Sequence, residues 1–286
     1  MKLKKFFEEP SNWLMKTVAI YLIVIVVFTC GTIAGFIKSP KIVVVNNGGE
    51  GSAGGAAVST TPQSSSSSLS SSNTESTITE DTKSEMETAE IVALFNESAN
   101  KIKTDAVKVT KNYEDRTHME EYLQVPDALA GMAADLLETS FKDDTDPIEY
   151  ATKEDIIANF QVPGQTWVSQ LTEADIAEAK CVDIGTEYEM YIKLNPSTNP
   201  EPGNGVAKAF DTITSSEIME KAPPMVKDFT TEYFDCIIRC KIDKESKNIT
   251  WINYSSPLIL KLKVEFFGKL DAQVGLKFEK DYNIVY

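Results

Sequence analysis

Residues Thr17 to Ile37, TVAIYLIVIVVFTCGTIAGFI, form an apolar run with no charged side chain. At about 1.5 Å per residue a helix of this length reaches across a hydrocarbon core of about 30 Å. The bilayer offers no water to the backbone, so the run is expected to be a single transmembrane helix. Lys2, Lys4, Lys5 and Lys16 precede it and Lys38 and Lys41 follow. The excess on the leading side places the N-terminal segment 1–16 in the cytoplasm and the rest of the chain outside the cell membrane. A cleaved signal peptide would have a shorter apolar region ending at small residues, and a lipoprotein would need a better site around Cys30 than Phe28-Thr29 supplies. An uncleaved signal anchor is the expectation.

Charge is divided unevenly. Residues 1–41 carry a net +4 against −15 for the whole chain, which leaves −19 for everything beyond them. Such a surface repels phosphate backbones, so nucleic acid is not an expected partner. Residues 38–85 are dominated by Ser, Gly and Thr and cannot assemble a core, so they are expected to be a disordered tether. A coil of that kind spans about 35 Å. The remaining residues, 86–286, are enough for one buried core.

Helical spacing begins near Met86, with Ile91, Val92, Phe95, Ala99 and Ile102 on one stripe. A short strand is expected over Val107–Tyr113, a second helix over Pro126–Phe141, and a short helix capped by Thr152. After Gly164 the period becomes two. Val182, Ile184, Tyr188, Met190, Ile192 and Leu194 read as one strand with a bulge at Gly185. The Pro- and Gly-punctuated NPSTNPEPGNG reads as a loop, and AKAFDTITSSEIMEKA as short helical turns. Phe234, Cys236, Ile238, Cys240 and Ile242 alternate in the next strand; Asn248–Tyr254 and Leu258–Phe266 follow as two more. A turn around Phe267–Leu270 leads to Leu270, Ala272, Val274, Leu276 and Phe278. The fold class is therefore α+β, with amphipathic helices packed on an antiparallel β meander.

Chemical signatures are sparse. His118 is the chain's one histidine and reads as a surface residue; the run Lys142–Asp146 lacks the offsets of a calcium loop. Cys236 and Cys240 sit about 13 Å apart on one strand face, too far for a disulfide, and with Cys181 read as buried thiols. Asn96, Asn248 and Asn253 head glycosylation-type triplets, a pattern too short to carry weight. No catalytic residue, metal ligand or cofactor is expected. An exported hydrolase would need a nucleophile–base pair that the sequence does not display.

The segments FNESANKIK, QLTEADIAEAK, EYEMYIKLNPSTNP and GLKFEKDYNIVY resemble those of a group of membrane-anchored Gram-positive bacterial proteins of uncharacterised activity. The resemblance covers about residues 88–286. It implies an exported helix-plus-β-meander domain behind an N-terminal span. It carries over no site residue, and the zinc ribbon often found ahead of that span has no matching Cys cluster here. The function expected is a non-catalytic binding or envelope-associated domain; the alternative is a scaffold for envelope proteins. A third reading is a lipid or lipoprotein-acyl pocket between sheet and helices, lined by Met190, Ile192, Phe234, Ile238, Leu260, Leu262, Val264, Leu276 and Phe278. The bland alternative for those nine is filled core.

Overall fold

The computed structural model describes residues 78, 83–125, 145–222, 224, 226–265 and 269–286. The expected membrane span, most of the tether and the helix expected over Pro126–Phe141 lie outside these residues. Among the described residues no helix is long and apolar enough to cross a membrane.

The described elements are α1 (Thr88–Asp105), β1 (Lys108–Gln124), β2 (Ile148–Tyr150), α2 (Lys153–Asn159), β3 (Ile176–Asp183), β4 (Glu187–Leu194), β5 (Ser197–Thr198), α3 (Ser215–Lys221), β6 (Val226–Tyr233), β7 (Ile237–Asp243), β8 (Ile249–Glu265) and β9 (Lys269–Val285). The domain is mostly antiparallel sheet with few helices. Its strands run β2-β1-β9-β8-β7-β4-β3, with β6 also on β8 and β5 on β6. Helices fall between strands as well as before them, so the order differs from the expected helices-then-meander.

Two of the three 17-residue strands, β8 and β9, are the spine, paired from Trp251↔Asn283 to Glu265↔Lys269. Where two strands were expected over Asn248–Tyr254 and Leu258–Phe266, β8 is continuous. It changes partner instead: Ile237↔Ser255 ends the β7 ladder and Tyr233↔Leu258 begins that of β6. Pro257 stands at the change-over, where its missing N–H interrupts no ladder and its carbonyl accepts from Phe234 N at 3.2 Å.

One face of the sheet is covered. Ile91, Phe95, Ala99 and Ile102 of α1 are fully buried, in one cluster with Met190, Ile192, Ile238, Ile252 and Tyr254. Each large side chain so buried contributes about 1.5–3 kcal/mol. The stripe is the one the spacing predicts. Thr152 caps α2 as expected, its Oγ1 accepting from Asp155 N at 3.1 Å. The polar edge of α1 holds the irregular stretch after α2. Asn100 Oδ1 accepts from Val168 N (2.7 Å) and Ser169 N (3.0 Å), Asn96 binds both polar groups of Leu171, and Lys103 Nζ donates to Gln161, Val162 and Gln165 carbonyls.

Several expectations need correction. β3 and β4 form a hairpin rather than one bulged strand: Gly185 takes φ +103° in the turn, and Asp183 Oδ1 accepts from its N–H. The turn changes the phase, so Cys181, not Val182, faces Met190 across the pair. Ile184 is exposed. Asp235, at φ +47°, breaks the alternation ahead of β7. Phe234 therefore leaves the covered face; it is half-buried and its ring meets Tyr122 at 5.6 Å. Tyr122 lies across Gly275, where a Cβ would come within 2.6 Å of it. β1 runs far beyond Tyr113, and β6 forms where no strand was expected. Lys269 pairs with Glu265 and Leu270 with Val264 inside the ladder, so these two belong to β9 rather than to the turn expected over Phe267–Leu270.

Candidate functional site

Eight of the nine residues expected to line a pocket are buried on the covered face: Met190, Ile192, Ile238, Leu260, Leu262, Val264, Leu276 and Phe278. Phe278 borders a cavity of about 10 Å³ shared with Gln161, Phe210, Asp211, Tyr233, Tyr254, Ser256 and Lys280. That is at the threshold for one water and too small for an acyl chain. Tyr233 Oη accepts there from Ile213 N at 2.8 Å.

Charge is buried on this face beside the aromatic cluster. Glu114 accepts from Lys111 Nζ at 2.9 Å and Arg116 Nε at 3.1 Å; Lys280 reaches Asp211 at 3.5 Å. Burial pushes the Glu114 carboxyl up, but Lys280, Lys111 and Arg116 outweigh it and hold the group at about 2, below its ordinary 4.5. Glu114 therefore stabilises the fold above its unfolded pKa, and that stability is lost as pH falls from 4.5 towards 2. Glu114→Gln should cost about 3 kcal/mol at neutral pH, the gap from wild type closing towards pH 2. Urea titrations across that range measure it; a gap that does not change with pH contradicts the assignment.

The opposite face presents ordered rows. Register places Lys180, Tyr191, Arg239, Asn253, Asp281 and Tyr113 side by side across β3, β4, β7, β8, β9 and β1. The next row is Val182, Glu189, Lys241, Trp251, Asn283 and Thr110; on the other side runs Glu178, Lys193, Ile237, Ser255, Glu279 and Asp115. At about 4.8 Å per strand each row spans about 24 Å.

A hydrogen-bond network fixes one end of these rows. Asp281 Oδ1 accepts from Asn112 Nδ2 (2.6 Å) and Oδ2 from Trp251 Nε1 (2.8 Å). Tyr113 Oη donates to Glu279 Oε1 at 3.3 Å and accepts from Asn253 Nδ2 at 3.3 Å. Asn112 is the extra residue of a bulge between Lys111 and Tyr113, which turns its amide towards Asp281. Burial first, then the Asp281 and Glu279 carboxylates, push the Tyr113 phenol above its ordinary value, so it stays a neutral donor. Asn253 and Asp281 are buried although no described helix packs on this face. The rings of Tyr113 and Trp251 are hydrogen-bonded to this pair. Asp281→Asn should cost about 2 kcal/mol and change Trp251 emission as the indole loses its charged acceptor. Unchanged emission and melting would show that the network does not hold the indole.

The other end is cationic. The Arg239 guanidinium lies 5.4 Å from the Tyr191 ring centroid and Lys241 Nζ 6.0 Å from that of Trp251. Lys180 pairs with Glu178 at 2.8 Å and Lys193 with Asp235 at 2.7 Å. Glu189, buried and opposite Lys241 in the register, is the acid of this end, but neither Arg239 nor Lys241 forms an ion pair with a carboxylate among the described residues. Their site is not legible from strand alternation, because the polar phase of each strand repeats without marking which residues meet across the sheet. The signal was Tyr113, Tyr191 and Trp251 falling on that polar phase.

The remaining candidates lie apart. His118 is half-buried on β1, opposite Leu276. Cys181, Cys236 and Cys240 are buried free thiols, as expected; burial pushes Cys181 up to about 11 and Cys236 to about 12. Asn96 and Asn253 of the glycosylation-type triplets have their amides engaged within the fold. Asp146 is exposed, and among the described residues no group of His, Cys, Asp and Glu is placed to hold a metal. Comparison with known proteins finds no matching family, no matching curated protein and no matching solved structure.

Proposed function

We propose that this chain is a single-pass membrane protein with a cytoplasmic N-terminus, whose C-terminal domain is a non-catalytic binding domain held outside the cell membrane. The ligand meets the open sheet face. The observation that carries this reading is the pair of cation–ring units, Arg239 on Tyr191 and Lys241 on Trp251, beside a buried acid–amide network. A sheet face whose only task is solubility needs none of that order. The apolar run 17–37, its lysine asymmetry and the resemblance to membrane-anchored Gram-positive proteins support the location. Three buried thiols, all raised well above neutrality by burial, and a histidine set against an aliphatic residue support a binding rather than a catalytic role.

Two measurements test it. Protease added to intact, wall-stripped cells is expected to cut near Ser64–Ser68 and release the domain; protection of residues 86–286 would reverse the orientation. The released domain is expected to sediment with purified envelope material, and Tyr191→Ser with Arg239→Glu to abolish that. Retention equal in the variant, with its melting unchanged, would remove the open face as the binding surface.

A further inference from the structure

Arg239 is one of two arginines in the chain, and the other, Arg116, is bound to Glu114 on the covered face. Most described lysines end on a carboxylate, as in Lys208–Asp175, Lys247–Glu97 and Lys261–Glu232. Arg239 and Lys241 do not, in a chain of net charge −15. They stand two residues apart on β7, their Cα atoms about 7 Å apart and their side chains on one face. Each is held against a ring, which restricts the side chain before any ligand arrives. The Arg239 guanidinium presents five N–H donors in a rigid fork, and no acceptor among the described residues takes any of them. Trp251 is itself fixed by Asp281 at 2.8 Å.

A preordered fork beside a point charge matches a tetrahedral oxyanion, taken bidentately by the arginine and through one contact by the lysine. We infer that Arg239 and Lys241 form a binding site for the phosphodiester groups of a soluble polyol-phosphate chain. The inference rests on the open-face reading above and names its ligand class. Asn283, exposed in the row of Lys241 and Trp251, spends an Nδ2 hydrogen on Asn112 Oδ1 at 3.0 Å and leaves its Oδ1 to accept from a hydroxyl between phosphates. A chain is favoured over an anionic bilayer because the attraction is confined to one patch. The −19 carried by residues 42–286 repels a wide anionic surface or a stiff duplex, which must lie against it, whereas screening beyond about 8 Å lets a narrow flexible chain reach the patch.

The test uses the full-length protein in a non-ionic detergent, with tryptophan emission as readout and three probes: poly(glycerol phosphate), inorganic phosphate and a water-soluble short-chain phosphatidylglycerol. The polymer is expected to give a saturable change, about 100-fold tighter than inorganic phosphate because successive phosphates rebind. Arg239→Gln should weaken it about tenfold, Arg239→Lys less, and the double variant with Lys241→Gln should abolish it, with melting unchanged. Raising salt from about 0.05 M to about 0.5 M should also weaken it. The inference is overturned by no saturable response, by a response the double variant retains, by equal affinity for polymer and inorganic phosphate, or by a response to the lipid alone. If the polymer fails while envelope sedimentation still depends on Tyr191 and Arg239, the open face binds something else and only the ligand class falls.

Discussion

Replacing Lys103 with methionine is expected to lower the unfolding free energy by about 3 kcal/mol. The ammonium is buried, and its three N–H bonds go to the carbonyls of Gln161 (2.8 Å), Val162 (2.9 Å) and Gln165 (2.9 Å). Those carbonyls belong to the stretch that leaves α2, where Val162 takes φ +53°. Methionine fills much of the same volume and offers no hydrogen, so three acceptors lose their donor while packing is kept. The pH dependence separates this from simple loss of bulk. Burial pulls the Lys103 ammonium down from 10.5 to about 8, with the Asp211 carboxylate pulling it back up. Between those values the unfolded chain holds more protons than the native one, so this group adds stability as pH rises. The gap between wild type and Lys103→Met should widen from about pH 8 to about pH 10. Above that the buried phenols of Tyr254 and Tyr282, both raised by burial, lower the stability of both proteins alike as they ionise in the unfolded chain, so the gap levels off. Urea unfolding at three pH values decides; a gap that is flat with pH removes the ammonium from the account.

Lys103 also shows where the sequence stops being legible. Ile91, Phe95, Ala99 and Ile102 announce their helix by spacing alone, because a buried stripe must repeat with the helical turn. Lys103 sits beside Ile102 and reads as the start of the polar face. Only the carbonyls of a loop about 60 residues later turn it inward. The strands behave alike. Alternation gives the phase of Ile238–Ile242 and of Leu258–Val264 correctly, since each lies within one ladder. It fails at Ile184 and Phe234, where a hairpin turn and the left-handed Asp235 reset the phase. The continuity of β8 through Pro257 depends on two different neighbours meeting one strand, which no local window contains. The open face is the extreme case. Its rows exist only through register, and Asn112 and Asp281, which bond at 2.6 Å, lie 169 residues apart. Pairing rather than composition makes the row.

Phe160→Ala is expected to cost about 3–5 kcal/mol, with the slope of the urea transition unchanged. Phe160 ends α2, its N–H closing on Ile156 O at 3.0 Å, and its side chain is fully buried. The ring stands edge-on to Tyr282 at 4.9 Å and 77°, and to Tyr254 at 6.3 Å and 76°. Truncation therefore removes both the transfer energy of a large ring and two tilted aromatic contacts, each worth about 0.5–1.5 kcal/mol. Phe160→Leu should recover much of the loss, since volume is largely restored. Tyr254 and Tyr282 are sequence neighbours of Asn253 and Asp281, so each strand carries a core ring on one face and a network residue on the other. Hydrogen bonds from Asn112 and Trp251 hold Asp281 independently of that core. At temperatures where Phe160→Ala is still folded, Trp251 emission and polymer binding should thus match wild type. A variant that melts early yet also binds weakly while folded would show that the two faces are mechanically coupled. The open-face rows would then depend on the helix side of the sheet.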